Sequence, residues 1–306
     1  MHMPRPAHLL VLSCVLFAVA AVGCGRSSPA AGGSGRVQVV AAENFWGSLA
    51  AQLGGDRVAV RSIITNPDTD PHAFEPTAAD ARAMAGARLA IVNGVGYDAW
   101  AGRLLAAGPA PERRVLDVGS LVGVASGGNP HRWYSPPDVE RVTVAITNDL
   151  QRLDPRHAGY YAQRMRAFRQ TGLGGYHREI AQIRARYAGV AVGASESVFA
   201  PLAQALGLRL LTPAGFLNAV SEGTDPTAAD KGAVDRQITA RQIKVWVYNS
   251  QNATPDIQRL NATARGAHIP IATVTETLTP AGASFQAWQV RELRDLAHAL
   301  ARATRR

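Results

Sequence analysis

A chain of 306 residues, 47% hydrophobic and 18% charged, has the balance of a globular protein long enough for two domains, which argues against disorder and against wholesale membrane embedding. Its 32 basic and 23 acidic side chains give a formal charge of +9, a value that invites a nucleic-acid reading. Lys231 and Lys244 are the only lysines, however, and the arginines are scattered rather than gathered in one basic tract, so the excess reads as a composition bias and no nucleic-acid partner is expected.

The N-terminus comes first in chain order. After Arg5, residues 9–22 run without a charge. At 1.5 Å per residue they would span about 21 Å of a hydrocarbon core roughly 30 Å thick, which favours a secretory signal over a stable transmembrane helix. The run ends in Ala21, Val22, Gly23 and Cys24, small residues before a cysteine, as in bacterial lipoprotein signals. We therefore expect a signal peptide over 1–23, lipidation of Cys24, and a flexible Gly/Ser/Pro tether over 24–36 that holds the exported protein to the membrane surface. Cleavage also removes Cys14, leaving one cysteine, so neither an intramolecular disulfide nor a cysteine-based zinc site can be built.

From Val37 onward short β-branched runs alternate with amphipathic stretches, the pattern of an α/β protein with mainly parallel sheets. Strands are expected at 37–41, 58–64, 89–93 and 114–118, with a helix at 44–53 and another opened by a Thr77 cap with Asp80 three residues on. The alternation restarts after residue 188, with strands at 189–194, 208–212, 245–249 and 269–274 and a final helix near 284–303. Between the two sets, residues 137–187 show helical spacing and no strand signal. The expected organisation is an N-terminal lobe over 37–136, a linking helical region over 137–187 and a C-terminal lobe over 188–306. Gly172, Gly174 and Gly175 predict a kink or break in the link, because each glycine inside a helix costs about 1 kcal/mol relative to alanine.

Most histidines sit in helical or exposed patterns, but His72 and His131 each follow a proline in a loop with no other evident purpose: DPHAFEP at 70–76 and NPHRWYSP at 129–136. Flanking prolines stiffen such a loop and lower the entropy lost in fixing an imidazole. Glu196, in GASESVF at 193–199, and Glu276, in TET at 275–277, stand where strands give way to loops, the place where α/β sheets gather binding groups. Asp225 and Glu222, in SEGTDP at 221–226, are rival carboxylates, Asp225 fitting a turn. The five tryptophans read as core or lobe-interface packing.

These loops, the Ser195-Glu196 strand end and the SEGTDP segment together resemble the metal-binding solute-binding lipoproteins of bacterial zinc and manganese ABC importers, the ZnuA-like family. The resemblance runs from about Val37 to the C-terminus. It implies two α/β lobes joined by a long linking helix, one divalent transition metal held between them as cargo, and a monomer that delivers it to a membrane permease whose ATPase is a separate chain. Carried over by position, it implies His72, His131, Glu196 and Glu276 as ligands. Many relatives use aspartate where Glu276 stands, and zinc-specialised ones have a histidine at the position of Glu196 and a histidine-rich loop where this chain has the bare ASGGN of 125–129.

Independently of the family, two imidazoles and two carboxylates suit zinc, manganese or iron(II), whereas calcium and magnesium prefer oxygen shells and copper(I) wants sulfur. A zinc-dependent hydrolase is the main rival. The chain lacks His-Glu-x-x-His and a nucleotide-phosphate loop, GASES misses the last glycine of a hydrolase elbow, and four protein ligands leave little room for activated water, so no enzyme is expected. A surface adhesion lipoprotein on the same fold is the other alternative. Two Asn-Ala-Thr triplets, at Asn252 and Asn261, match a glycosylation pattern that carries no weight in a bacterial lipoprotein.

Overall fold

The computed structural model describes residues 1–3, 35–67, 69 and 74–304. Cys24, His72 and the signal segment from residue 4 onward lie outside the described residues. The first half of the chain runs β1 (Val37–Glu43), α1 (Asn44–Gly54), β2 (Val58–Ile64), α2 (Ala78–Gly86), β3 (Leu89–Val92), α3 (Ala99–Ala107), β4 (Arg114–Asp117) and α4 (Val118–Val122). Its strands pair in the order β2-β1-β3-β4, all parallel. The second half contributes β5 (Ala191–Ala194), β6 (Arg209–Leu210), β7 (Val245–Asn249) and β8 (Ile271–Val274), parallel in the order β6-β5-β7-β8. The architecture is thus a two-lobe α/β fold.

Strand β1 explains why its sheet is covered on both faces. Val37, Val39 and Ala41 enter one hydrophobic cluster while Val40 and Ala42 enter another, a period-2 division in which nearly every residue is apolar. Local chemistry starts α2: Thr77 Oγ1 accepts the Asp80 amide at 3.3 Å and Asp80 Oδ2 accepts the Thr77 amide at 2.9 Å, a complete capping box.

The segment between the sheets is three helices rather than one connecting element. These are α5 (Pro136–Leu153), α6 (Ala158–Ala167) and α7 (Gly174–Tyr187). Prolines 136 and 137 begin α5, where a missing amide is harmless, and Pro155 stops it, because the residue before a proline is disfavoured in the helical region. A π-helical turn at Phe168–Gly172 separates α6 from α7 at the glycines where a break is expected.

The remaining helices are α8 (Ala200–Leu206), α9 (Ala214–Ser221), α10 (Ala228–Thr239), α11 (Pro255–Gly266) and α12 (Phe285–Thr304). The largest core cluster joins Phe45, Trp46 and Trp133 of the first half to Tyr176, Phe285, Trp288 and Leu296 of the rest, so the two sheets share one apolar interior. All five tryptophans are buried in it or in its satellites. Among the described residues no helix is long and apolar enough to cross a membrane.

Candidate functional site

In each sheet the chain leaves the first strand toward one neighbour and later returns on that strand's other side. The carboxyl ends of β1 and β3, and of β5 and β7, are therefore the switch points where α/β sheets leave a crevice. Glu43 and Asn93 stand at the first, Ser195 and Asn249 at the second.

His131 sits on the loop before the short 3-10 turn of Arg132–Tyr134 and is wholly buried. Asn129 Oδ1 accepts its backbone amide at 2.9 Å and lies 2.9 Å from its Nδ1. The backbone amide can only donate, so Oδ1 is correctly an oxygen, and Nδ1 must carry the ring proton. The Nε2 lone pair is left to face Glu276 Oε2 across 3.9 Å. This is the arrangement of a metal-binding histidine oriented by an outer partner. The Asn129 amide also donates to Ser197 O at 2.8 Å, tying the His131 loop to the second lobe.

Glu276 follows β8 and is nearly buried. Its Oε1 accepts Asn249 Nδ2 at 2.7 Å and its Oε2 accepts the Tyr97 hydroxyl at 2.9 Å. Gln251 Oε1 accepts its backbone amide at 2.5 Å, while the Gln251 amide group donates to Thr277 Oγ1 and to Pro67 O. Glu196 follows β5, is buried, and accepts Asn252 Nδ2 at 2.9 Å. The next residue, Ser197, brings its Oγ to 3.4 Å from His131 Nδ1. The structure therefore sets His131 and Glu276 face to face, with Glu196 at the end of β5, on the far side of β7 from the end of β8.

Among the described residues no three imidazole, thiol or carboxylate groups form a complete metal-binding set, and His72 lies outside those residues. The rivals are elsewhere: the Asp225 side chain is 97% exposed and pairs with Lys231, and Glu222 is exposed. Asp225 lines a cavity of about 430 Å³ bounded by Phe216, Val220 and Pro255, and by the Asn252 that donates to Glu196.

Sequence reasoning missed the residues that hold these groups. Asn129 stood inside the quoted loop without a role. Asn249 and Gln251 carry no signal beyond the end of a strand, and Asn252 reads in sequence only as the first residue of an Asn-Ala-Thr triplet. The other missed group is the 93–98 turn that presents Tyr97. Gly94, Val95 and Gly96 all have positive φ, of 74°, 55° and 84°. For a β-branched residue such as Val95 that backbone is strained by about 1–3 kcal/mol. Burial first, then the charge of the Glu276 carboxylate, holds the Tyr97 phenol well above its ordinary pKa, so it stays a neutral donor.

Two parallel half-wound sheets with a common core, and a buried imidazole facing a carboxylate between them, define a two-lobed α/β protein with a polar crevice at its switch points. Residues 39–299 match the family model of the periplasmic zinc-uptake complex component A, ZnuA, and the chain belongs to that family. Among named relatives, it is 26% identical over 162 residues to the manganese-binding lipoprotein MntA of Halalkalibacterium halodurans, covering 51% of this chain and 53% of that one. It is 29% identical over 133 residues to the iron-binding protein YfeA of Yersinia pestis, covering 39% and 40%. The matched region spans about half the length of the first of these relatives. Among solved structures, a manganese-bound variant of a periplasmic metal-binding protein from Candidatus Liberibacter asiaticus superposes with a TM-score of 0.73 at 17% identity, over 87% of this chain and all of that one. A crystal structure of ZnuA gives 0.69 at 20% identity, over 87% and 99%.

Proposed function

We propose that this chain is the extracytoplasmic metal-capturing component of an ABC importer, binding one zinc or manganese ion, with iron(II) also suited to the donors, and delivering it to a membrane permease driven by a separate ATPase. The observation that carries the reading is the His131 imidazole, its Nδ1 proton held by Asn129 and its Nε2 turned toward Glu276 between the lobes. His72, His131, Glu196 and Glu276 are the proposed ligands. Their mixed nitrogen and oxygen set matches borderline cations. Family membership and the manganese- and iron-binding relatives support the cargo class.

The chain acts as a carrier rather than a hydrolase, since four ligands would fill the sphere of a tetrahedral ion. Capture is local. The +9 chain does not attract cations as a whole, so the buried carboxylates must do so. Cys24 is the proposed lipid attachment point, and the protein works as a monomer on the outer face of the cell membrane. Replacing Cys24 by serine should release it from the membrane fraction.

The direct test strips residues 25–306 of metal and titrates zinc, manganese and iron(II) by calorimetry. One tight ion per chain, lost in His72→Ala and in His131→Ala variants that still unfold cooperatively, is the expected result. Wild-type affinity in either variant would refute the ligand set. Because the imidazoles must be deprotonated to bind, affinity should also fall as pH drops toward 5. A flat profile from pH 8 to 5 would instead indicate carboxylate ligands alone.

A further inference from the structure

Glu43 ends β1, the strand at the centre of the switch point, and its side chain has no solvent exposure. Among the described residues no N–H or O–H donor reaches either of its oxygens. A carboxylate that is buried and without donors loses its hydration with nothing in return, so the neutral acid is the stable form. The Asp98 carboxyl, itself almost fully buried, is its acidic neighbour where the ends of β1 and β3 lie side by side. Asp98 is supplied differently: its two oxygens accept the Asn93 amide at 2.6 Å and the Gly94 amide at 2.8 Å. Of the two acids, Asp98 is thus the better acceptor and Glu43 the one suited to donate. Burial and the nearby Asp98 charge push Glu43 well above the usual carboxylate range, in agreement with that division. Burial raises Asp98 to about 6 against the pull of its backbone donors, with Asp117 adding to the rise.

The turn that Asp98 clasps is the strained one. Its positive-φ residues 94–96 would relax without outside restraint, and Tyr97, whose hydroxyl reaches Glu276 Oε2, is the residue between the strain and the clasp. The Asn93 side chain, at the same turn, accepts Trp46 Nε1 and donates to Pro130 O beside His131.

We propose that Glu43 is a positioning residue of the metal site: as a neutral acid it donates a hydrogen bond to Asp98, fixes the 93–98 turn, and so holds the Tyr97 hydroxyl on Glu276. This rests on the reading of Glu276 as a metal ligand. It differs from a ligand role for Glu43, because a donor without a charge should serve as well.

Manganese affinity of the metal-stripped protein is measured for wild type, Glu43→Gln, Glu43→Leu, Tyr97→Phe and the Glu43→Leu/Tyr97→Phe double variant, each with its thermal midpoint. Glutamine keeps a donor and should stay within about twofold of wild type, whereas leucine and the tyrosine variant should each lose about tenfold or more, the range of outer-shell changes. The double variant should lose no more than the worse single one, since both act through one hydroxyl. A tenfold loss in Glu43→Gln, additive losses, or wild-type affinity in a folded Glu43→Leu would each overturn the proposal. A second readout does not depend on Glu43→Leu folding: the infrared difference between wild type and Glu43→Gln near neutral pH should contain the carbonyl stretch of a protonated carboxyl group, and its absence refutes the neutral acid. Wild-type protein that binds no metal would remove the carrier reading itself, and this inference with it.

Discussion

Asn129 decides which nitrogen of His131 is available. Its carboxamide oxygen takes the Nδ1 proton, and its nitrogen is anchored on the second lobe, so the imidazole is fixed in both tautomer and direction before any ion arrives. Outer partners of this kind change metal affinity by about 10–100-fold. Asn129→Ala should therefore weaken zinc or manganese binding by about that factor in calorimetry while the fold persists, and an unchanged dissociation constant would show that His131 is oriented by packing alone. Packing does contribute, since Trp133 stacks on Phe45 with centroids 4.2 Å apart and meets the His131 ring edge-on at 5.2 Å. Asn252 does for Glu196 what Asn249 does for Glu276, which explains why two asparagines with no sequence signal lie against the two carboxylates.

At the level of single elements, α2 begins six residues after His72 in sequence, and local chemistry fixes that start. Thr77 and Asp80 form the reciprocal cap, and Asp80 also accepts Arg61 at 2.8 Å from the neighbouring strand. The cap bonds and the Arg61 charge hold the Asp80 carboxyl below its ordinary pKa despite the opposing effect of burial. Thr77→Ala removes one cap bond and should cost about 1 kcal/mol in chemical denaturation. An effect below a few tenths would mean that α2 is held by its tertiary contacts and not by its cap. The linking region differs from a single rod for an equally local reason. Pro155 stops α5, and Gly172 lies in a π-helical turn, so α6 and α7 fold back onto the body of the protein instead of spanning open space.

Across the whole molecule the lobes are bound by more than the crevice where His131 faces Glu276. The single Tyr134 hydroxyl proton, just after His131, is shared between Thr275 O at 2.8 Å and Glu292 Oε2 at 2.5 Å, and Thr275 Oγ1 and Trp288 Nε1 both donate to Glu292 Oε1. Together with the shared core, this network makes a large hinge opening costly and favours small local rearrangements around the ion. Burial nevertheless outweighs those donors and lifts Glu292 to about 7. The folded protein then holds this proton more tightly than the unfolded chain, so stability falls as pH rises from the unfolded value near 4.5 and the loss is complete above about 7, on the order of 3 kcal/mol in all. Glu43 and Asp98 titrate in the same sense, so the informative quantity is a difference. Between pH 5 and 8 the metal-free wild type should lose more unfolding free energy in urea than Glu292→Gln does; equal losses would refute the assignment. Saturating metal should stabilise the folded protein by about 2.7 kcal/mol at 100 times its dissociation constant.

What the sequence by itself determined is everything written in consecutive residues. The strand at 58–64 and that at 245–249 coincide with β2 and β7, the Thr77 cap is present, and the glycine break falls where expected, because period, caps and helix breakers act over a few positions. His131 and Glu276 were legible as candidates for the same reason, each marked by a stiff loop or a strand end. Only the tertiary structure decided which groups meet. Tyr97 and Glu276 are 179 residues apart, and Asn129 reaches Ser197 across the lobes. Such contacts depend on the order of strands in each sheet and on how the two sheets share a core, which no local pattern encodes. The same holds for Glu43. In sequence it is one polar residue at the end of an apolar run, and only its burial beside Asp98, under a strained turn, gives that carboxyl a role.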